Sequence, residues 1–119
     1  MSQDRFVALE SGAGMTQPPA AEHAGLVRIA TFRARPGKAD QLLDAARGNA
    51  SDARAADGCR SAQVCIADED PDTLLVVSRW ESADALRAFL DRHESQAHGA
   101  VGPYAAEPPH ATHYRVVSE

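Results

Sequence analysis

Long hydrophobic runs are missing from this chain. No stretch approaches the roughly 20 apolar residues that a membrane-crossing helix needs, and the N-terminus lacks the basic region and apolar core of a secretion signal. No membrane partner is expected. Cysteine is scarce as well, confined to Cys59 and Cys65. Both fall in one predicted strand, where their Cα atoms stand roughly 20 Å apart at strand rise, far beyond disulfide reach. They are expected as free thiols unless they pair between subunits, and free thiols fit a reducing, cytoplasmic setting. Basic charge is thin: twelve Lys plus Arg against seventeen Asp plus Glu leave a formal net charge of -5. The basic residues are scattered, so no stripe exists to track a phosphate backbone, and nucleic acid is excluded as an expected partner.

What is present is enough for one domain. A chain of 119 residues with 44% hydrophobic content can build one core and is too short for two. Residues 1–25, interrupted by Gly12, Gly14, Pro18 and Pro19, read as a flexible tail whose one apolar stretch is Phe6 to Leu9. The domain is expected over residues 26–119. Leu26 to Ala34 is rich in β-formers and stops at Pro36-Gly37, as a strand reaching a turn should. Ala39, Leu42, Leu43, Ala46, Ala50 and Ala53 then recur at helical spacing until Asp57-Gly58. Cys59 to Ala67 and Thr73 to Trp80 form a hairpin around the acidic turn Asp68 to Asp72. Ser82 is a good N-cap for a second helix with Leu86, Phe89, Leu90 and His93 on one face. This helix is expected to decay near Gly99 and Gly102-Pro103, and Ala111 to Val117 closes the chain as a short strand.

The order βαββαβ is that of a ferredoxin-like α+β domain with an antiparallel sheet and both helices on one face. The strands, however, are apolar on both faces. In the first, Leu26, Ala30 and Phe32 oppose Val27 and Ile29; in the third, Leu74, Val76 and Trp80 oppose Leu75 and Val77. Helices cover one face, so the other wants a second sheet. A two-fold homodimer is the economical source.

Four pieces of the sequence carry a resemblance to a known family: Arg35-Pro36-Gly37-Lys38-Ala39-Asp40, Ala56-Asp57-Gly58-Cys59, Ser78-Arg79-Trp80-Glu81-Ser82, and His93 followed by His98. Together they resemble the antibiotic biosynthesis monooxygenase family and span nearly all of residues 26–119. Two departures are plain. Ser78 stands where many relatives carry Glu, and the segment before Leu26 has no place in the pattern. The resemblance implies a dimeric α/β barrel of ferredoxin-like subunits, each with a pocket between sheet and helices. It also implies cofactor-free oxygenation of aromatic polyketides or quinols with O2, or alternatively oxidative opening of haem. The haem-degrading motif needs an Asn in the first strand and a Trp in the second helix, and those places fall here at Ala30 and Phe89. Cofactor-free monooxygenation therefore ranks first, and no cofactor is expected. A third reading, a non-catalytic dimeric module that binds a small apolar molecule, follows from the versatility of the fold, from Ser78 in place of Glu and from the lack of an unambiguous catalytic pair.

Triplet dioxygen reacts slowly with closed-shell organics, so without a metal or flavin the substrate must supply the electron, as an ionised phenol or hydroquinone can. The protein must then hold the ring in a dry pocket, help remove a proton and stabilise developing oxyanion charge. Histidine suits the proton step because its reference pKa, about 6.5, lies near operating pH. His98, at the break of the second helix, is the first candidate base, against the reading of a surface histidine at a helix end. His93 extends the apolar stripe and faces inward, either lining the pocket or bonding a loop carbonyl. Trp80 offers an aromatic wall with one N–H donor, against a plain core role. Phe89 shares the inward stripe, and Tyr104, in the loop before the last strand, is placed to cover the pocket or donate to a phenolate.

Other apparent motifs fail on geometry. The two histidines of His93 to His98 lie about 140° apart on a helix, not on one face as a zinc-protease helix requires. His110 and His113 point to opposite faces of a strand. Asp68 to Asp72 lacks the central glycine and terminal Glu of a calcium loop, and Gly12 and Gly14 follow no predicted core strand as a dinucleotide fingerprint would. No metal is expected.

Overall fold

A computed structural model describes residues 25–118. The stretch Phe6 to Leu9 and the rest of the expected tail, Gly25 apart, lie outside the described residues. The elements are β1 (Leu26–Arg33), α1 (Ala39–Arg54), β2 (Cys59–Ile66), β3 (Thr73–Trp80), α2 (Ala83–Val101), a 3₁₀ turn (Gly102–Tyr104) and β4 (His110–Arg115). The strands form one antiparallel sheet in the order β2-β3-β1-β4. This is the ferredoxin-like α+β arrangement. No helix among the described residues is long and apolar enough to cross a membrane.

Strand parity sorts the sheet into two faces. Ala30 and Phe32 on β1 and Leu74, Val76, Ser78 and Trp80 on β3 are buried beneath the helices. Their alternating neighbours Val27, Ile29, Leu75 and Val77 are only half-buried, on the face the helices leave open. The helices meet the sheet through unequal surfaces. α1 presents Leu42, Ala46, Ala50 and Ala53, mostly small, whereas α2 contributes Leu86, Phe89 and Val101. Alanines bring α1 close without filling the space beside it, and a cavity opens there.

Several ends differ from the sequence reading. α1 stops at Arg54, and residues 55–58 turn the chain before β2. Gly58 has φ +84, and a methyl group on it would lie 2.5 Å from the Ala85 Cβ, so backbone shape and close packing both call for glycine. α2 passes Gly99 without a break and ends at Val101, which is fully buried, just before the expected stop at Gly102-Pro103. Gly99 costs a helix about 1 kcal/mol, and burying a valine returns about 1.5–3 kcal/mol, so the last turn holds. β4 begins at His110 and ends at Arg115, against the expected Ala111 to Val117. Gly25, assigned to the tail from sequence, closes the sheet: its carbonyl accepts the Val116 N–H at 3.1 Å, and its φ is +73.

Two backbone ties hold the segment after α2 against the end of β1. Arg35 N–H donates to the Tyr104 carbonyl at 2.9 Å, and Ala106 N–H to that of Arg33 at 2.7 Å. The chain is thereby led back over the sheet edge towards β4.

Candidate functional site

Between the covered sheet face and the helices lies a cavity of about 230 Å³. The sheet contributes Arg28, Ala30 and Phe32 from β1 and Val76, Ser78 and Trp80 from β3. Asn49, Asp52 and Ala53 come from α1. The remaining wall is α2, where Phe89, Leu90, His93, Glu94, Ala97 and His98 follow one another along the helix face, with Pro109 and Ala111 closing the side near β4.

Four of the five residues singled out from sequence, Trp80, Phe89, His93 and His98, meet at this cavity. Tyr104 does not line it; it is half-buried against the core, its carbonyl engaged by Arg35. An aromatic stack leads outward along one wall. Trp80 and Phe89 have ring centroids 5.2 Å apart at 36°, and Phe89 and His93 stack at 4.7 Å and 26°. Trp80 is only 1% exposed, and its indole N–H donates to the Ser78 hydroxyl at 2.9 Å. Its donor is therefore spent within the protein, leaving the ring as an apolar wall. Ser78 is small and neutral where many relatives carry Glu, and its hydroxyl satisfies the tryptophan.

Polar groups gather towards the more exposed end. His98 Nε2 stands 4.0 Å from a Glu94 carboxylate oxygen, one helical turn away, and both side chains are more than half exposed. Such an exposed pair adds little to stability, but it sets an acceptor beside the imidazole. His93 Nδ1 is buried without a hydrogen-bond partner. Opposite, on β1, Arg28 carries a buried Nε that is likewise unpartnered. Burial pulls the Arg28 guanidinium below its usual range, and the charge of Glu94 partly restores it. The Arg28 guanidinium in turn acts on His113, its Cα partner on β4: burial first, then the charge of Arg28, push that imidazole down.

Arg28 and Glu94 escaped the sequence reading, and Ser78 was noted there only as a departure from the family pattern, although Arg28 and Ser78 had both left a further signal. Alternation puts Arg28 on the same strand face as Leu26, Ala30 and Phe32, and Ser78 on that of Val76 and Trp80. A charge or hydroxyl on a core face marks a position that packing alone does not explain. Among the described residues, no group of three or more His, Cys, Asp or Glu comes together as a metal site. Cys59 and Cys65 are free thiols on β2, and burial pushes the Cys59 thiol up.

A four-stranded antiparallel sheet, two helices on one face and a cavity between them define a ferredoxin-like α+β domain with a pocket under its helices. The chain belongs to the antibiotic biosynthesis monooxygenase family, whose model matches residues 25–101. Among solved structures it is similar to the protein Rv0793 of Mycobacterium tuberculosis, with 25% identity and a TM-score of 0.71 over 79% of this chain and 96% of that one. A candidate antibiotic biosynthesis monooxygenase of Deinococcus radiodurans gives 21% identity and a TM-score of 0.72 over 79% and 94%. The protein PA3566 of Pseudomonas aeruginosa gives 20% and 0.67 over 82% and 98%. At these identities the likeness to the last two shows the fold alone. A comparison with curated proteins finds no match.

Proposed function

We propose that this protein is a cofactor-independent monooxygenase that oxidises a phenol- or quinol-type aromatic substrate with O2, working as a homodimer. Membership of the antibiotic biosynthesis monooxygenase family supports this reaction class. The observation that carries the reading is the cavity itself: an aromatic wall of Trp80 and Phe89 on one side, with His93 and His98 on the same helix face.

The chemistry asks little of the protein beyond position and charge. In a substrate such as an anthrone, a base removes a proton from the ring methylene to give an electron-rich enolate. The enolate passes an electron to O2, the resulting radical pair joins as a hydroperoxide at that carbon, and loss of water leaves a carbonyl. One oxygen atom ends in the product and one in water, so CH2 plus O2 becomes C=O plus H2O, with no further reductant. His98 is the proposed base: it stands at the exposed end of the cavity, where a proton can leave to solvent, with Glu94 beside it to steady the imidazolium. Phe89 and the Trp80 ring hold the substrate plane, and the apolar wall keeps water from the reacting carbon. Tyr104, away from the cavity lining, is given no part.

An oxygen electrode run over a panel of anthrones, naphthols and hydroquinones tests the proposal. Uptake above autoxidation with at least one of them is expected. No uptake above autoxidation with any would leave a binding module.

A further inference from the structure

A slot for a neutral ring does not need a guanidinium. Arg28 nevertheless projects from β1 onto the face the helices cover, and its Nε is buried with no hydrogen-bond partner. His93 Nδ1, across the same cavity on α2, is in the same condition. Native proteins rarely leave buried polar atoms unpaired, least of all those of charged groups, so two such atoms lining one cavity point to a group the cavity admits. The charge balance says which group. Among the described residues no carboxylate forms an ion pair with Arg28; the acid that acts on it is Glu94, which is half exposed and stands beside His98.

We propose that the cavity selects an aromatic ligand carrying one anionic oxygen, whose ring lies against Phe89 and whose negative oxygen is held by Arg28, with His93 as a second hydrogen-bonding group. A phenolate, an enolate and an aryl carboxylate share this chemistry. The inference rests on the cavity being the substrate site and adds the charge state to it. The ionised form is also the one able to give an electron to O2, so a cation beside it holds the substrate in its reactive state while His98 takes the proton.

Isothermal titration with 1-naphthoate and 1-naphthamide, which differ in charge but hardly in shape, tests this without any turnover. The naphthoate should bind at least about tenfold more tightly, the worth of a charge-assisted hydrogen bond in a buried site. Arg28→Met should erase that preference with the near-ultraviolet circular dichroism unchanged, and Arg28→Lys should keep part of it. Equal affinities in the unaltered protein, or no measurable binding of either probe, overturn the proposal. So does a folded Arg28→Met that still prefers the acid. Should Arg28→Met fail to fold, Glu94→Gln decides. Loss of the competing carboxylate should tighten 1-naphthoate several-fold and leave 1-naphthamide unmoved, and an unchanged or weakened naphthoate overturns the idea. 2,4-Dinitro-1-naphtholate beside 1-naphthoate separates the two sources of the anion: the tighter one names the oxygen. The failure modes stay apart. Preference for the anion without oxygen uptake on any substrate removes the monooxygenase and keeps the anion site, whereas uptake without the preference does the reverse.

Discussion

At the scale of single residues, the cavity divides its side chains between those that hold the fold and those that face a ligand. His98 belongs to the second group, being more than half exposed and in the last turn of α2. His98→Ala should lower oxygen uptake by on the order of 10²-fold, the usual worth of a positioned base, with the melting temperature unchanged. Equal rates in a folded His98→Ala would remove the base and keep the enzyme. Trp80 belongs to both groups, and the structure decides what its replacement does first. Its N–H satisfies the buried Ser78 hydroxyl, so Trp80→Phe leaves that hydroxyl unpaired and should cost about 1–3 kcal/mol of stability. Adding Ser78→Ala should recover part of the loss in urea unfolding, since no orphan then remains; additive losses in the double variant would show that the bond contributes nothing. Trp80, Phe89, His93 and His98 were legible in the sequence because aromatic and histidine residues on a helical stripe or strand end attract notice. Arg28 was not, because as one arginine among scattered ones it reads as surface charge until strand parity is applied to it. Glu94 left less trace, since its place opposite Arg28 depends on how β1 and α2 pack.

At the scale of elements, hydrophobic alternation and turn chemistry made the order, the strand pairing and the covered face readable, since both act within a few residues. The misplaced ends have non-local causes. α2 outlasts Gly99 because Val101 finds a buried site, and Gly25 is fixed by β3, where a methyl group on it would meet the Trp80 carbonyl. The acidic turn between β2 and β3 shows how a run of charge becomes structure. Asp70 accepts hydrogen bonds from Thr73 Oγ1 at 2.7 Å, from the Arg33 guanidinium at 2.8 Å and from the Asp72 N–H at 3.2 Å. The Thr73 and Arg33 bonds hold its carboxyl below the usual Asp range. A depressed carboxyl lends stability that is present above the unfolded Asp pKa of about 3.9 and is lost as pH falls through the lower folded value. Asp70→Ala should therefore speed amide exchange at Thr73, whose N–H donates to the Asp70 carbonyl at 2.9 Å, and lower the melting temperature slightly at neutral pH. The gap to the unaltered protein should close as the pH drops below the Asp range. A gap that persists in acid would mean that backbone effects, not the carboxylate, shape the turn.

At the scale of the whole molecule, the open face of the sheet is the outstanding problem of the fold. Val27, Ile29, Leu75 and Val77 stand there half-buried, and Tyr114, the cross-strand partner of Val27, is 51% exposed. Covering a half-buried aliphatic side chain returns about 1 kcal/mol, and a contiguous row of them on adjacent strands β1 and β3 gains that return many times over when two sheets meet. A two-fold arrangement doubles each gain, because every contact made by one protomer is repeated by its partner. The proposed homodimer predicts a mass of two chains by light scattering at micromolar concentration. Val77→Lys, central in β3 and paired with Ile29 and Gln63 on either side, should give the mass of one chain, since it would bury an ammonium with no partner in the interface at a cost of several kcal/mol. The same substitution on an exposed face would be nearly neutral, so the circular dichroism of the variant should stay that of a folded α+β domain. An unaltered protein that runs as one chain would remove the dimer, and a Val77→Lys variant that remains dimeric would move the interface off this face.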